Sequence, residues 1–231
     1  MRTVAVIQAR LGSTRLPGKV LLPLAGKSML QNVIERVKRA KLIDYVVVNS
    51  PDVELGSEIK APCCFHVRDG DENDLIGAFY HSARSMNADF IIRICADNPC
   101  VEPGFIDDLI DWRFYYSWKG LKKRLLILNS ESFDACSDGF GGELYTLPML
   151  EWMDRIIKDP FYREHPHKLW QEMGAYFYVG NGFGKDFRLD VNTRADYEHI
   201  RNIYDHFGHN RFHVEEVVKY ISEKKQTERM I

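Results

Sequence analysis

Short apolar runs alternate with amphipathic segments along the first half of the chain. Runs that suit strands buried on both faces of a parallel sheet lie at residues 4–7, 45–49, 63–67 and 90–95. Between them, apolar positions at helical spacing predict a helix capped by Ser28, a short helix over 53–60 and a third helix over 75–86. This order of elements predicts a doubly wound α/β fold with a mostly parallel central sheet.

The second half of the chain has a less regular pattern. It predicts helices at residues 103–112, 147–157, 194–207 and 214–224, and strands at 125–128, 175–179 and 187–191. Between 113 and 128, aromatic residues are mixed with basic ones. Such a mixture occurs in nucleic-acid-binding surfaces, but a helix end followed by a charged turn and a strand fits it better. Residues 137–143 are rich in glycine and acidic side chains, which indicates a loop that approaches another group closely.

The composition is that of an ordinary globular protein, with 45% hydrophobic and 28% charged residues among 231. The formal net charge of −2 gives no electrostatic reason to expect a nucleic acid as partner, so an anionic ligand needs a local cluster of cations. Five cysteines in irregular spacing favour a reduced, cytoplasmic protein. Since no apolar run approaches the roughly 20 residues of a membrane span, we expect no membrane partner. A single domain over 1–231 is the simplest prediction.

The loop after the first strand holds three cations, Arg10, Arg15 and Lys19, together with Gly12 and Gly18. Arginine offers a planar fork of donors and lysine a movable charge, and both bind phosphate oxygens. The glycines let the backbone turn tightly and present its N–H groups. These cations and glycines suit a loop that binds a polyphosphate, although a solvated basic turn can contain the same residues.

Two aspartates stand at the ends of predicted strands. Asp97 follows the run at 90–95, and Asp190 lies near the end of the later strand at 187–191. Carboxylates at neighbouring strand ends can bind Mg²⁺ together with phosphate oxygens, whereas each aspartate alone can also cap a turn or a helix. Ligands of doubly wound sheets bind beyond the carboxyl ends of the strands, where we expect the cationic loop, Arg68 and Asp97.

Six motifs of the chain resemble those of a known family. They are Ile7-Gln8-Ala9-Arg10 through Gly12-Ser13-Thr14-Arg15-Leu16-Pro17-Gly18-Lys19, Arg68-Asp69-Gly70 with Asp74-Leu75, Arg93-Ile94-Cys95-Ala96-Asp97-Asn98-Pro99, Asp138-Gly139 with Glu143, Arg163-Glu164-His165, and Arg188-Leu189-Asp190 through Asp196-Tyr197. In this order they resemble the motifs of the sugar-acid cytidylyltransferases. The opening motif is most similar to the branch named after the spore-coat polysaccharide biosynthesis protein F.

The resemblance implies a three-layer α/β/α, Rossmann-like nucleotide-diphospho-sugar transferase fold, with a nucleotide-binding half at 1–111 and an acceptor-binding half at 112–231. It implies a Mg²⁺-dependent nucleotidyltransferase that moves CMP from CTP to a sugar acid of the nonulosonate or 3-deoxy-octulosonate type and releases pyrophosphate. Such a reaction serves surface polysaccharide biosynthesis, and members of the family are generally homodimers.

The resemblance also assigns roles to individual residues. The implied catalytic residues are Arg10, Lys19 and Asp97, and the implied metal ligands are Asp97 and Asp190. The implied nucleotide contacts are Gln8, Ala9, Arg10, Leu11, Gly12, Ser13, Arg15, Lys19, Arg68 and Arg93. The acceptor sugar acid is expected to face Asp138, Gly139, Glu143, Arg163, Glu164 and His165.

The chain departs from the family pattern at two positions. Asn192 stands where the family commonly has an aspartate, and Ala78 stands where an arginine is often found. Asn192 leaves open a non-catalytic nucleotide-binding protein of a glycan pathway. A second alternative keeps the fold but changes the reaction, namely a glycosyltransferase that uses a nucleotide-sugar donor. Residues 112–136 match the family poorly, which leaves the identity of the acceptor open.

Overall fold

The computed structural model describes residues 1–60, 62–68, 70–118, 127–129, 139–172, 176–178 and 187–229. Its strands are β1 (Thr3–Gln8), β2 (Pro23–Leu24), β3 (Lys27–Ser28), β4 (Tyr45–Ser50), β5 (Cys64–Val67), β6 (Phe90–Cys95), β7 (Ile127–Asn129), β8 (Glu143–Thr146) and β9 (Tyr176–Tyr178). Its helices are α1 (Met29–Val37), α2 (Leu55–Glu58), α3 (Leu75–Ser85), α4 (Pro103–Trp118), α5 (Leu147–Ile156), α6 (Pro160–Glu164), α7 (Pro166–Glu172), α8 (Arg194–Phe207) and α9 (Val214–Arg229).

Seven strands form one sheet in the order β5-β4-β1-β6-β8-β7-β9. β8 runs antiparallel to both of its neighbours, and the other pairings in this sheet are parallel. This arrangement confirms the predicted mostly parallel sheet. Because β1 lies between β4 and β6, the cationic loop that follows it leaves from the interior of the sheet, at the carboxyl ends of the strands.

Helices cover both faces of the sheet, which confirms the three-layer α/β/α architecture. Successive side chains of a strand point to opposite faces, so Val6 and Ile7 of β1 enter different cores. Ile7 shares one core with Ile34 of α1, and Val6 shares the other with Phe79 of α3. Ser28 caps α1 as predicted, because its side chain accepts a hydrogen bond from the amide of Gln31. In the described ranges, no helix is long and apolar enough to cross a bilayer.

The structure contains β8 where the sequence predicts only the end of a loop. All four residues of this strand, Glu143–Thr146, are buried, so no alternation of polar and apolar residues marks it. The glycine before it is required by close packing, since a Cβ at Gly142 would lie 2.5 Å from the carbonyl oxygen of Arg93 on the neighbouring strand. The glycine-rich run therefore lets β8 enter the sheet beside β6.

The predicted strand at 187–191 is wrong. These residues have no regular secondary structure, although each of them is described. Leu189 and Val191 are fully buried in the core that contains Phe140 and Tyr197, so their alternation with polar residues reflects one-sided burial of a loop. The amide of Val191 donates to the carbonyl oxygen of Asp97 at 2.8 Å, which ties this loop to the end of β6.

Other boundaries differ by smaller amounts. α4 continues to Trp118, beyond the predicted end at 112, and α2 covers four residues of the predicted 53–60. The predicted strand at 125–128 overlaps β7, and residues 125 and 126 lie outside the described residues. The predicted strand at 175–179 corresponds to β9, with its two end residues again outside the described part.

A fully buried arginine fastens the segment after β6 to the rest of the fold. Nε of Arg36 donates to the carbonyl oxygen of Val101 at 2.7 Å. Its Nη1 donates to the carbonyls of Asn210 and Phe212 at 2.8 and 3.0 Å. Its Nη2 lies 3.6 Å from Oε2 of the buried Glu102. These contacts join α1, the segment that follows β6 and the loop between α8 and α9.

The substitution Arg36→Met tests this clamp. It leaves the carbonyls of Val101 and Phe212 without the donor from Arg36, while the carbonyl of Asn210 keeps its donor from Arg39, and it leaves Glu102 buried without the Arg36 cation. Breaking such a buried pair costs about 3–5 kcal/mol of unfolding free energy. We expect the melting temperature, measured by circular dichroism, to fall by roughly 10 °C. Lys41→Met, at an exposed lysine just beyond the same helix, is the control and should change it by less than about 1 °C. A decrease in melting temperature of less than about 2 °C for Arg36→Met would contradict the assigned role.

Candidate active site

The cationic loop closes on itself directly after β1. The amides of Ser13 and Gly18 both donate to the carbonyl oxygen of Leu11, at 2.8 and 3.0 Å. Gly18 has a φ of 67°, a left-handed conformation that glycine adopts without strain. The amide of Leu11 donates to Oδ2 of Asp52 at 2.6 Å, which fastens the loop to the turn after β4. The loop thus has a defined shape, with Arg15 exposed at its tip.

Lys19 joins this loop to two distant segments of the chain. Its ammonium group donates to Oδ2 of Asp97 and to the carbonyl oxygen of Val191, both at 2.6 Å. It also donates to Oδ1 of Asn192 at 3.3 Å. The Lys19 residue is only 8% exposed, so these oxygens surround a buried cation. The structure therefore brings together Lys19 and Asp97, which the sequence places in one site.

Asn192 links the tip of the loop to the second predicted metal ligand. Arg15 donates to Oδ1 of Asn192 at 2.7 Å, and Nδ2 of Asn192 donates to Oδ2 of Asp190. Asp190 also accepts hydrogen bonds from Arg188 at 2.7 and 3.1 Å. An aspartate at position 192 would place a second negative charge against Asp190, whereas the asparagine amide donates to it. Asn192, which departs from the family pattern, thus fits its surroundings because its amide group donates to Asp190.

These oxygen atoms have the chemistry that suits a hard divalent cation. Asp97, Asp190 and Asn192 supply two carboxylates and one amide oxygen. Mg²⁺ is typically bound by one or two carboxylates and completes its shell with phosphate oxygens and waters. Among the described residues, no group of three or more His, Cys, Asp or Glu side chains gathers at one point. The donor set fits a metal ion that is shared with a phosphate-bearing ligand.

Gly139 supports the segment that carries Asp190. A Cβ at Gly139 would lie 2.4 Å from the carbonyl carbon of Leu189 and 2.5 Å from the amide nitrogen of Asp190, and its φ is +99°. Only glycine fits this crossing of two backbones. The predicted acceptor contact Gly139 thus lies against the segment that carries Asp190, the predicted metal ligand, while Asp138 lies outside the described residues.

Arg93 and Glu143 form a buried ion pair at the centre of the sheet. Nη1 of Arg93 donates to Oε1 of Glu143 at 2.9 Å, and its Nε donates to Oε1 of Gln8 at 3.3 Å. The hydroxyl of Tyr145 donates to the other oxygen of Glu143. Burial alone would raise the pKa of Glu143, but Arg93, His167 and Tyr145 together lower it. The structure thus joins a predicted nucleotide contact to a predicted acceptor contact.

Arg68 lines a cavity of about 510 Å³ between the sheet and α3. Ala78 forms part of its wall, so the small residue at this position leaves space open. The amide of Ala9 donates to the backbone carbonyl of Asn49 at 3.1 Å, and Asn49 also lines the cavity. Arg10 donates to Oδ1 of Asn73 at 3.3 Å. The cavity therefore adjoins the cationic loop.

Arg163 has all five of its N–H groups engaged within the protein. Nε and Nη2 donate to the two carboxylate oxygens of Asp74 at 2.8 and 2.7 Å. Nη2 also donates to Oδ1 of Asp154 at 2.7 Å, and Nη1 donates to the carbonyls of Asp154 and Ile157. Because these contacts use its whole donor set, Arg163 clamps the start of α3 to α5 and leaves no N–H for an acceptor sugar.

His165 follows α6 and sits among aromatic rings. Its ring centroid lies 5.2 Å from that of Phe161 and 6.1 Å from that of His167. Glu164, the last residue of α6, is half-buried. His165 and Glu164 thus stand on the Glu143 side of the site, and their roles toward an acceptor stay predictions.

Three residues of this region were not singled out from the sequence. Tyr145 and His167 complete the Arg93–Glu143 cluster, and Asn49 faces the cavity beside Arg68. Asn49 carried a usable signal, because it is a polar residue at the end of an otherwise apolar strand. Tyr145 lies in the strand that the sequence did not reveal.

Comparisons with known proteins agree with this fold. Residues 4–114 match the model of a family described as cytidylyltransferase. The spore coat polysaccharide biosynthesis protein SpsF of Bacillus subtilis (strain 168) is 30% identical over 218 residues, covering 88% of this chain and 86% of that protein. The 3-deoxy-manno-octulosonate cytidylyltransferase of Trichlorobacter lovleyi is 30% identical over 203 residues, covering 78% of this chain and 77% of that protein.

A solved structure of a cytidylyltransferase from Leptospira borgpetersenii serovar Hardjo-bovis superimposes with a TM-score of 0.87 at 28% identity, covering 98% of this chain and 96% of the other. The fold and these similarities define a nucleotidyltransferase. Within that class, the chain belongs to the cytidylyltransferase family.

The buried His167 predicts a pH dependence of stability. Burial lowers its pKa to about 4, with Glu143 opposing the shift and Arg93 adding to it. The unfolded chain binds this proton near pH 6.5, so stability present above that pH is lost as the pH falls from about 6.5 towards 4. We expect the free energy of unfolding to drop between pH 7.5 and pH 5 by about 2 kcal/mol more in the native chain than in His167→Gln.

Urea denaturation at the two pH values measures this difference. His81→Gln, at an exposed histidine, is the control and should retain the native pH dependence. Equal pH dependence of the native chain and His167→Gln would refute the prediction.

Proposed function

We propose that the chain transfers CMP from CTP to a sugar acid of the nonulosonate or 3-deoxy-octulosonate type and releases pyrophosphate, for surface polysaccharide biosynthesis. The observation that carries this proposal is the meeting of the cationic loop with Asp97 and Asn192 around Lys19. A phosphate-binding loop and carboxylates at one point form the apparatus of a metal-assisted phosphoryl-type transfer. The family membership and the similarity to a 3-deoxy-manno-octulosonate cytidylyltransferase support the same reaction class, and the similarity to a spore coat polysaccharide biosynthesis protein supports the role in polysaccharide biosynthesis.

The triphosphate binds along the loop. Arg10, Arg15 and Lys19 neutralise its charge, and the backbone N–H of Gly12 adds a donor. The N–H groups of Leu11 and Ser13, which were also predicted to contact the nucleotide, instead donate to Asp52 and to the carbonyl oxygen of Leu11. Negative charge grows on pyrophosphate as it leaves, so cations fixed at that end lower the barrier. The Lys19 ammonium exchanges its contact with Asp97 for a contact with a phosphate oxygen.

Asp97 and Asp190 would hold Mg²⁺, and the amide oxygen of Asn192, which accepts hydrogen bonds from Arg15 and Lys19, lies beside them. The ion supplies Lewis-acid neutralisation of the phosphate oxygens when it is bound. Arg188 holds Asp190 in place through two hydrogen bonds. Val191 ties this segment to Asp97 through its backbone amide.

The nucleoside lies towards Gln8, Ala9 and Arg68, and the acceptor lies on the side of Glu143. Arg93 connects these two regions because it contacts both Gln8 and Glu143. Asp138, Gly139, Glu164 and His165 border the acceptor region, while Arg163 positions α3 and α5. The proposal further includes a homodimer in the cytoplasm, whose dimerisation is measured by light scattering after size exclusion.

A pyrophosphate-release assay tests the proposed reaction. Purified protein with Mg²⁺ is incubated with each of the four ribonucleoside triphosphates and a panel of nonulosonates and 3-deoxy-octulosonates. We expect release with CTP and at least one sugar acid, and a CMP-sugar in the product mass spectrum. If no CTP pairing releases pyrophosphate, the proposal is wrong. Turnover of a preformed nucleotide sugar without pyrophosphate would instead identify a glycosyltransferase.

Lys19→Gln tests the role of the central cation. It removes the charge that Asp97 and the triphosphate share, and losing a preorganised charged donor typically costs on the order of 100-fold in rate. We therefore expect kcat/KM for CTP to fall about 100-fold. Lys27→Gln is the matched control, since Lys27 is exposed and pairs with Glu35 away from the loop. It should stay within about twofold of the native value, and an equal effect of the two substitutions would contradict the role of Lys19.

A further inference from the structure

A groove runs along α1 on the side of the helix that is turned away from the sheet. Its cavity of about 640 Å³ lies in the size range of small-molecule sites. Its described lining residues include five Lys or Arg side chains but a single carboxylate, and these are Lys27, Lys38, Arg39, Lys60, Arg211 and Glu35. On a chain with a net charge of −2, this α1 groove is a local concentration of positive charge that attracts anions.

One wall of the α1 groove is formed by Lys60 and Pro62, which come just before β5. Gln31 and Lys38 are seven residues apart and therefore lie on one stripe of α1. The amide of Lys60 donates to Oε1 of Gln31 at 3.0 Å, and the Lys38 ammonium donates to the carbonyl oxygen of Pro62 at 2.7 Å. These two contacts hold the wall, and its cations, against the helix.

The other wall is the loop between α8 and α9. Asn32 and Arg39, again seven residues apart, lie on the neighbouring stripe of α1. Nδ2 of Asn210 donates to Oδ1 of Asn32 at 2.9 Å. Arg39 donates to Oδ1 of Asn210 at 3.2 Å and also to its backbone carbonyl oxygen. Asn210 thus fixes the wall that carries the exposed Arg211.

Glu35 lies between the two stripes, and its carboxylate is already fully engaged. It accepts hydrogen bonds from Lys27 at 2.9 and 2.7 Å, from Gln31 at 3.0 Å and from Asn210 at 2.8 Å. Glu35 therefore neutralises Lys27 and has little left for other cations. Within the described part of the chain, no ion pair involves the remaining cations of the groove, namely Lys38, Arg39, Lys60 and Arg211.

Arg39 is a half-buried cation without a carboxylate among the described residues. Burial lowers the pKa of Arg39, and the neighbouring Arg36 and Arg211 lower it further, while Tyr204 and Glu102 oppose the shift. Charges that are withdrawn from water are normally paired, because their lost hydration must be replaced. A guanidinium held beside two like charges is therefore stabilised by an anion that enters the groove.

We propose that the α1 groove binds a small molecule with two or more phosphate groups, at a site separate from the cationic loop. Cations on both walls suit a ligand with negative charge at both ends, and arginine forks with movable lysines suit phosphate oxygens. None of the described residues that line the groove belongs to the loop or to the cavity at Arg68. This second site goes beyond the proposed transfer of CMP and does not depend on it.

Titration with inorganic tripolyphosphate tests the second site residue by residue. Amide NMR spectra of the native chain are recorded in about 0.15 M salt, where charges more than roughly 8 Å apart are largely screened. We expect the amides of Lys60, Gly208 and His209 to shift and to saturate below about 1 mM ligand. The amides of Gly12 and Gly18 report separately on the cationic loop.

Lys60→Gln combined with Arg211→Gln removes one exposed cation from each wall. No described hydrogen bond or ion pair of these two side chains is lost. We expect the dissociation constant read at the Gly208 amide to rise about fivefold. Arg84→Gln combined with Arg155→Gln removes the same charge from exposed positions of α3 and α5, and it should change this constant less than about 1.5-fold.

The outcomes separate this site from the proposed function. Saturation at Gly208 and His209 that is weakened only by the Lys60 and Arg211 substitutions supports the second site, even if Gly12 does not respond or no sugar acid is an acceptor. Absence of saturable shifts at these amides in the native chain overturns it, and this result requires no variant. Equal weakening by the two pairs of substitutions also overturns it, because attraction to overall charge then explains the binding.

Discussion

The buried ammonium of Lys19 is the interaction on which the geometry of the site depends. It attracts Asp97, the backbone carbonyl of Val191 and the amide oxygen of Asn192, which belong to two segments that would otherwise bring negative charge together. In a partly buried environment such attractions are several times stronger than in water. Lys19 therefore stabilises the ligand-free site and also supplies the charge that a triphosphate requires. Because the same ammonium group has both roles, a substitution of Lys19 changes the stability of the ligand-free site and the binding of the triphosphate together.

A row of polar side chains crosses the sheet at its carboxyl edge. Strand register places His66 beside Asn49 and Asn49 beside Gln8, and Gln8 accepts a hydrogen bond from Arg93, which pairs with Glu143. Below this row the same face is apolar and packs against α3 and α5. The row connects the cavity at Arg68 to the region around His167. Because neighbouring strands hold these side chains, the distance between the two ends of the site is fixed. A fixed distance favours a reaction whose two reactants must meet in one orientation.

The sequence predicted the first half of the fold closely because its strands are uniform apolar runs and its helices have clear periodicity. Lys19 and Asp97 were assigned to one site because both follow strands at the same edge. β8 was missed because four buried residues show no period, and the run at 187–191 was misread because a loop buried on one side imitates the alternation of a strand. The partners of Arg163 and the walls of the α1 groove were inaccessible to sequence reasoning, since they depend on contacts between segments far apart in the chain.

The separation between Lys19 and its partners has a consequence for biosynthesis. Val191 and Asn192 lie 172 and 173 positions after Lys19. At a synthesis rate of about 5–20 residues per second, the ribosome completes the loop roughly 10–30 s before it delivers these partners. During that interval a nascent chain can carry the first strands, the loop and Asp97, but not the oxygens of Val191 and Asn192 that complete the surroundings of the ammonium. Competence for binding is therefore acquired late in translation, and a prematurely terminated chain would retain the motif without the site.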